Sequence, residues 1–194
     1  MKDPPRVILL DSNAYFRLAR SIHPLLAGTF GSAAQYSLFV LKELDEEYRS
    51  NVRLQTKFEW VRDPEHCADR LRKRYHARGK WSGLVSNAFT FLAGNVRCKK
   101  LNVSHEDLRA LATGFVRGSP VVTDDRDMKE LADAFQIECW SVLKLLRLMQ
   151  VEGRIGIEDV QQVLEYLDEE NDLPMGKDRL RREYRQYFNA DCPI

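Results

Sequence analysis

Four carboxylates in recurring settings are the side chains of this chain best suited to chemistry. Asp11 closes the apolar run Val7-Ile8-Leu9-Leu10, and Glu43 lies in Val40-Leu41-Lys42-Glu43-Leu44. Asp107 lies in Ser104-His105-Glu106-Asp107-Leu108, and Asp125 follows Val121-Val122-Thr123-Asp124. Carboxylates gathered at one edge of a sheet repel one another unless a cation compensates them, and oxygen-only sites are the province of hard ions such as Mg²⁺ or Mn²⁺. Sites of this kind commonly hydrolyse phosphodiesters.

Each acid also has a plainer reading. Asp11 ends a strand, where an acid caps the next helix; the matching position of Asp125 would require the same coincidence twice. Asp107 follows Ser104 by three residues, as in a capping box with Asp in place of Glu, and its charge suits a helix N-terminus in any case. Asp124, Asp125 and Asp127 form a cluster that would favour the start of a following helix. Helical periodicity does not choose between Glu43 and Glu47.

The elements that must position these acids are legible in outline. Residues 6–10 read as a buried strand of a parallel sheet, ending at Asp11, with Ser12 and Asn13 supplying helix-start chemistry. A long helix is expected over residues 32–59, and Asp63-Pro64-Glu65 reads as a cap with Pro at the first helical position. Residues 82–96 form a further helix in this reading, residues 98–103 a short strand, and Ser104 caps a helix that ends at Gly118-Ser119-Pro120. Residues 120–123 are a second buried strand, 127–135 an amphipathic helix, and 137–140 a third strand leading into an apolar helix through Met149. The alternation implies strand-helix-strand crossovers and a parallel sheet whose ligands sit beyond the strands' carboxyl ends, where Asp11 and Asp125 fall. From Gly153 onward two polar amphipathic helices, about residues 157–170 and 176–189, read as an extension.

A chain of 194 residues suits one α/β domain with an appended helical piece. The formal net charge of +1 gives no overall attraction to nucleic acid, so binding would depend on local charge segregation. Cys67, Cys98, Cys139 and Cys192 are scattered without zinc-ligand spacing, and no apolar run reaches the roughly 20 residues that span a bilayer. Free thiols in a reducing cytoplasmic setting are the expectation. His23, His66, His76 and His105 form no evident ligand set, and Trp60 and Trp140 read as packing residues.

Taken in order, Val-Ile-Leu-Leu-Asp11-Ser-Asn, Val-Leu-Lys-Glu43-Leu, Ser-His-Glu-Asp107-Leu-Arg-Ala-Leu-Ala and Val-Val-Thr123-Asp-Asp125-Arg-Asp127-Met resemble the PIN-domain nucleases, and among them the bacterial VapC-like group. The resemblance covers residues 6–149. It implies a three-layer α/β/α fold with a central parallel sheet, here as a nuclease domain of residues 1–150 with a helical insertion at about 62–100 and a C-terminal helical extension at 151–194. It also selects Glu43, and makes Asp11, Glu43, Asp107 and Asp125 a pocket for one or two Mg²⁺ or Mn²⁺ ions, with Asp127 as a further acid. Ser12, Asn13 and Thr123 would orient ligands or water. A metal-activated water would then cut single-stranded RNA to leave 5′-phosphate and 3′-hydroxyl ends. The segment from Arg62 to Lys100 departs from compact toxin members.

Arg70, Arg72, Lys73, Arg74, Arg78 and Lys80, close to Tyr75, His76 and Trp81, would contact phosphates and stack bases, or else form a solvated helix face. Arg97, Lys99 and Lys100 would guide the backbone toward the metals, or are ordinary surface charges. By resemblance, an antitoxin protein is a candidate partner and a homodimer a candidate assembly. The competing reading is a non-catalytic PIN-like module that binds RNA or protein. A phosphatase of the haloacid-dehalogenase type is disfavoured, because Asp11-Ser12-Asn13 lacks an Asp-x-Asp nucleophile.

Overall fold

The apolar run that ends at Asp11 forms the middle strand of a five-stranded parallel sheet. The computed structural model describes residues 4–194. Its strands are β1 Arg6–Leu10, β2 Tyr36–Leu41, β3 Arg74–Tyr75, β4 Val121–Val122 and β5 Cys139–Trp140. Its helices are α1 Ser12–Leu18, α2 Glu43–Ser50, α3 Val52–Lys57, α4 Pro64–Arg72, α5 Lys80–Lys99, α6 His105–Arg117, α7 Arg126–Ala134, α8 Val142–Val151, α9 Ile157–Glu169 and α10 Lys177–Phe188, with a 3-10 turn at Glu59–Arg62. The strand order is β3-β2-β1-β4-β5, so the chain winds outward from β1 in both directions and the reversal lies between β1 and β4. The crevice beyond the carboxyl ends of those two strands is where such sheets take ligands.

The sheet is covered on both faces, which is why its strands read as continuous apolar runs. Ile8 and Leu10 of β1 point into one layer with Leu38, Val40 and Val122, covered by α1, α8, α9 and α10. Leu9, Leu41 and Val121 point into the other, against Leu92 of α5, Leu111 of α6 and Leu131 of α7. The result is a three-layer α/β/α domain. Each fully buried Leu or Ile contributes roughly 1.5–3 kcal/mol, so β1 is anchored from both sides and carries Asp11 to a fixed place.

The structure departs from the sequence reading at residues 36–41, expected inside a long helix and found as β2. Tyr-Ser-Leu-Phe-Val-Leu is short and almost wholly apolar, a length at which periodicity does not separate strand from buried helix. In parallel register with β1, Ile8 opposite Leu38 and Leu10 opposite Val40, it gains pairing that no isolated segment reveals. Residues 98–103, expected as a strand, are instead the last turn of α5 and a loop. The C-terminal helices are less of an appendage than their polarity implies: Val160, Val163, Leu164, Leu167, Leu180 and Tyr184 join the β1 core layer.

Candidate active site

Asp11 is held in place by its own backbone. Its N–H donates to Val122 O of β4 at 3.1 Å, tying the end of β1 to the neighbouring strand across the reversal point. Asp11, rather than Ser12, is the N-cap of α1, and its Oδ1 accepts the Ala14 N–H. The residue is 3% exposed, and among the described residues Oδ2 has no hydrogen-bond partner. Burial raises the pKa to about 7; the Thr123 hydroxyl and the Ala14 N–H pull it down, and the charges of Asp107 and Asp124 push it up. The Thr123 hydroxyl donates to Met128 Sδ, accepts from Asp125 N, and lies close enough to Asp11 to draw its pKa down.

Glu43 and Asp107 reach the same cleft from two helices. Glu43 is the first residue of α2, just beyond β2, and is nearly buried. Its Oε1 lies 3.7 Å from Arg109 Nε of α6, an ion pair too long for a hydrogen bond. Asp107 completes a capping box, accepting from Ser104 N at 3.3 Å while Ser104 Oγ accepts its own N–H at 3.1 Å. Burial raises its pKa, the Ser104 hydrogen bonds lower it, and the charges of Asp125 and Glu106 raise it again. Asp11, Glu43, Asp107 and Glu106 line one narrow cleft of about 10 Å³, with Ser12 on its wall.

Asp125 is not among the residues that line this cleft. It is the exposed N-cap of α7, accepting from Met128 N at 2.8 Å, and its charge reaches Asp107. Asp124 is buried, its carboxylate paired with Lys129 at 3.2 Å and accepting from Val142 N, and its charge reaches Asp11. Asp127 is not brought to the cleft: its Oδ2 accepts the Asn102 N–H at 2.7 Å and fastens the loop after α5 to α7. Thr123 is buried and supports the Asp125 backbone, whereas Asn13 is exposed.

Glu106 escapes the sequence reading, and Glu47, which helical periodicity left level with Glu43, also reaches the site. Glu106 lines the cleft beside Asp107, and Glu47 approaches from α2. Burial raises the Glu47 pKa, the Ser12 hydroxyl lowers it, and Asp107 and Glu106 raise it. The signal for Glu47 was its position one helical turn after Glu43. Arg109 carried none beyond its place two residues after Asp107.

Several cations expected to bind RNA serve the fold instead. Arg70 is 5% exposed and donates to Asp45 Oδ1 at 3.0 Å, Tyr15 Oη at 3.1 Å and Val61 O at 2.9 Å. Arg74 pairs with the other oxygen of Asp45, and Lys73 donates to Ser37 Oγ at 2.8 Å. A guanidinium buried at Arg70 needs these partners, and they remove it from any surface. Arg72, Arg78 and Lys80 are exposed, as are Arg97, Lys99 and Lys100. The last three end α5 and Lys80 begins it, so the two groups are separated by nearly the length of a helix of ~30 Å.

No family model matches the chain, and no curated protein does. Six chains among the solved structures match. One is a crystal structure of FitAcB from Neisseria gonorrhoeae, 12% identical, with a TM-score of 0.45, covering 70% of this chain and 97% of that one. A likeness of that size says nothing of which residues act. The site therefore stands on its own geometry.

Among the described residues, no three His, Cys, Asp or Glu side chains are disposed as they stand to ligate one ion. The free, buried Oδ2 of Asp11 is nevertheless the kind of atom a cation satisfies, and Asp107 and Glu47 nearby are raised in pKa by burial and by neighbouring negative charge. Mg²⁺ fits such a setting, because it is usually held by one or two carboxylates and keeps several waters.

Proposed function

We propose that the protein is a Mg²⁺- or Mn²⁺-dependent endoribonuclease of PIN type that hydrolyses single-stranded RNA, acting as the toxin of a toxin–antitoxin pair. The observation that carries this reading is Asp11: a buried carboxylate at the switch point of a parallel sheet, one oxygen fixed by Ala14 N–H and the other without a partner. A protein gains nothing in stability from an arrangement that pushes an acid to about 7, so the expense points to a ligand. Asp11 and Asp107 would hold the ion, with Glu43 and Asp125 joining through water or by rotation. When bound, such an ion lowers the pKa of a coordinated water and offsets charge on the phosphate. Arg109 stands beside Glu43 to meet phosphate, and Thr123 holds the Asp125 backbone in place.

An antitoxin that places a basic side chain at this acidic cleft, and a homodimer, are part of the same reading. Among the described residues no helix is long and apolar enough to cross a membrane. The second reading, a non-catalytic PIN-like module, is favoured by one observation: Asp11, Asp107 and Asp125 are each engaged as helix caps.

The two separate on incubation of end-labelled single-stranded RNA and DNA with the protein and Mg²⁺, Mn²⁺ or chelator. The nuclease reading expects metal-dependent RNA cleavage leaving 5′-phosphate and 3′-hydroxyl ends. It also expects losses of roughly a hundredfold or more in Asp11→Asn and Asp125→Asn, at or beyond the cost of losing a ligand's supporting partner. Cleavage that persists in both variants, or 2′,3′-cyclic phosphate products, would contradict it.

A further inference from the structure

Beside the acidic cleft lies a second hollow, open and larger, of about 240 Å³, between the ends of β2 and β3 and the helices α5 and α6. It shares Leu41 and Glu43 with the cleft, so the two adjoin. Its walls differ in chemistry: Lys42 and Arg109 bring positive charge, Tyr75 and His76 bring rings, and Ser82 and Ser86 bring hydroxyls. From this juxtaposition we propose that the hollow is a nucleotide subsite, taking one unit of a single-stranded nucleic acid next to the bond at the acids, with its phosphate on Arg109 and its base against Tyr75 and His76. The proposal rests on the nuclease reading for the bond being cut, but not for the binding itself.

Arg109 carries the argument furthest. Its side chain is 27% exposed, and its Nε lies 3.7 Å from Glu43 Oε1, too far for a hydrogen bond. The guanidinium lies over the Phe89 ring, 4.9 Å from its centroid. The exposed part of a flat guanidinium suits a phosphate oxygen, which it can meet with paired N–H donors. The Tyr75 ring is set edge-to-face against Phe39 at 6.3 Å, with the Arg117 guanidinium 5.9 Å from its centroid. Fixed rings beside a cation are the working parts of sequence-tolerant single-strand binding, where every base offers a face to stack. A polar hollow with cations on one side and aromatics on the other fits a nucleotide better than an acidic peptide, which has no use for the rings.

Binding is measured without chemistry by fluorescence anisotropy of a 5′-fluorescein ten-nucleotide single-stranded RNA with the full chain in EDTA. Ser86 is exposed, so Ser86→Trp fills the hollow without removing a core contact, and Val151→Trp, at a site 58% exposed on α8, controls for an added ring. The expected result is that Ser86→Trp and Arg109→Gln each weaken binding about tenfold, and Val151→Trp leaves it within about twofold. Circular dichroism melts of each variant establish that it folds, and Ser86→Trp carries the test if Arg109→Gln does not. Binding by Ser86→Trp within about twofold of wild type would overturn the proposal, as would poly-glutamate displacing the RNA at equal charge concentration. A protein that binds through the hollow yet cuts nothing with Mn²⁺ keeps this inference and loses the nuclease reading. One that cuts RNA with binding untouched by Ser86→Trp does the reverse.

Discussion

Asp11 performs two tasks with conflicting demands. As a helix cap it is favoured in the charged form, which suits the positive end of the α1 dipole; as a buried group it is penalised for that charge, and burial prevails. The linkage follows from the two pKa values, 3.8 when exposed and about 7 in the fold. Between them the folded state binds more protons than the unfolded, so stability is greatest below pH 3.8 as far as this group is concerned and is lost as pH rises through 7. The loss is on the order of 4 kcal/mol as an upper figure. Asp107, Asp124 and Glu47 are raised too and act in the same direction. Asn retains the capping oxygen without the charge. Denaturant unfolding in EDTA from pH 5 to 8 is therefore expected to show Asp11→Asn overtaking wild type as pH rises, with a shallower slope. Parallel slopes would show that Asp11 ionises normally. At this scale the sequence displayed the acid and its strand-end position, but not the missing partner of Oδ2, which depends on side chains from β4 and α6.

Among the elements, α6 has the tightest constraints, because it delivers both Asp107 and Arg109. Its start is fixed by the Ser104 capping box and its end by Gly118, which adopts φ 60° and lets the chain turn out of the helix. Between them Gly114 lets α6 approach β4: a Cβ there would stand 2.5 Å from Val121 Cγ2 and 3.0 Å from Ser119 O. Gly114→Ala is expected to push the helix away from the strand and cost about 1–3 kcal/mol despite the better helix propensity of Ala. Thermal unfolding checks this, and an unchanged midpoint would mean that the contact relaxes freely. Both ends of α6 were legible in Ser104 and Gly118-Ser119-Pro120, since capping is local chemistry. β2 was not, because Tyr36–Leu41 declares itself as a strand only when paired with β1. β3, at two residues, is too short for any pattern and exists through its pairing with Val40 and Leu41.

For the molecule as a whole, the layered α/β architecture could be read from alternating apolar runs, whereas surface electrostatics could not. A net charge of +1 conceals an acidic cleft, and also a hollow lined by Lys129, Lys144, Arg179 and Arg182, brought together from α7, α8 and α10. Such segregation arises from folding, and no window of sequence contains it. The same holds for the candidate site, whose acids arrive from the end of β1 and the starts of α2, α6 and α7. The most direct measurement is therefore calorimetric titration of Mn²⁺ into metal-free protein at pH 7, in two buffers of different ionisation enthalpy, for wild type and Asp11→Asn. The account predicts saturable binding by wild type, competed by Mg²⁺, with release of a fraction of a proton from the half-protonated Asp11, and affinity at least roughly tenfold weaker in the variant. Equal affinity in the two proteins, or no binding by either, would contradict it.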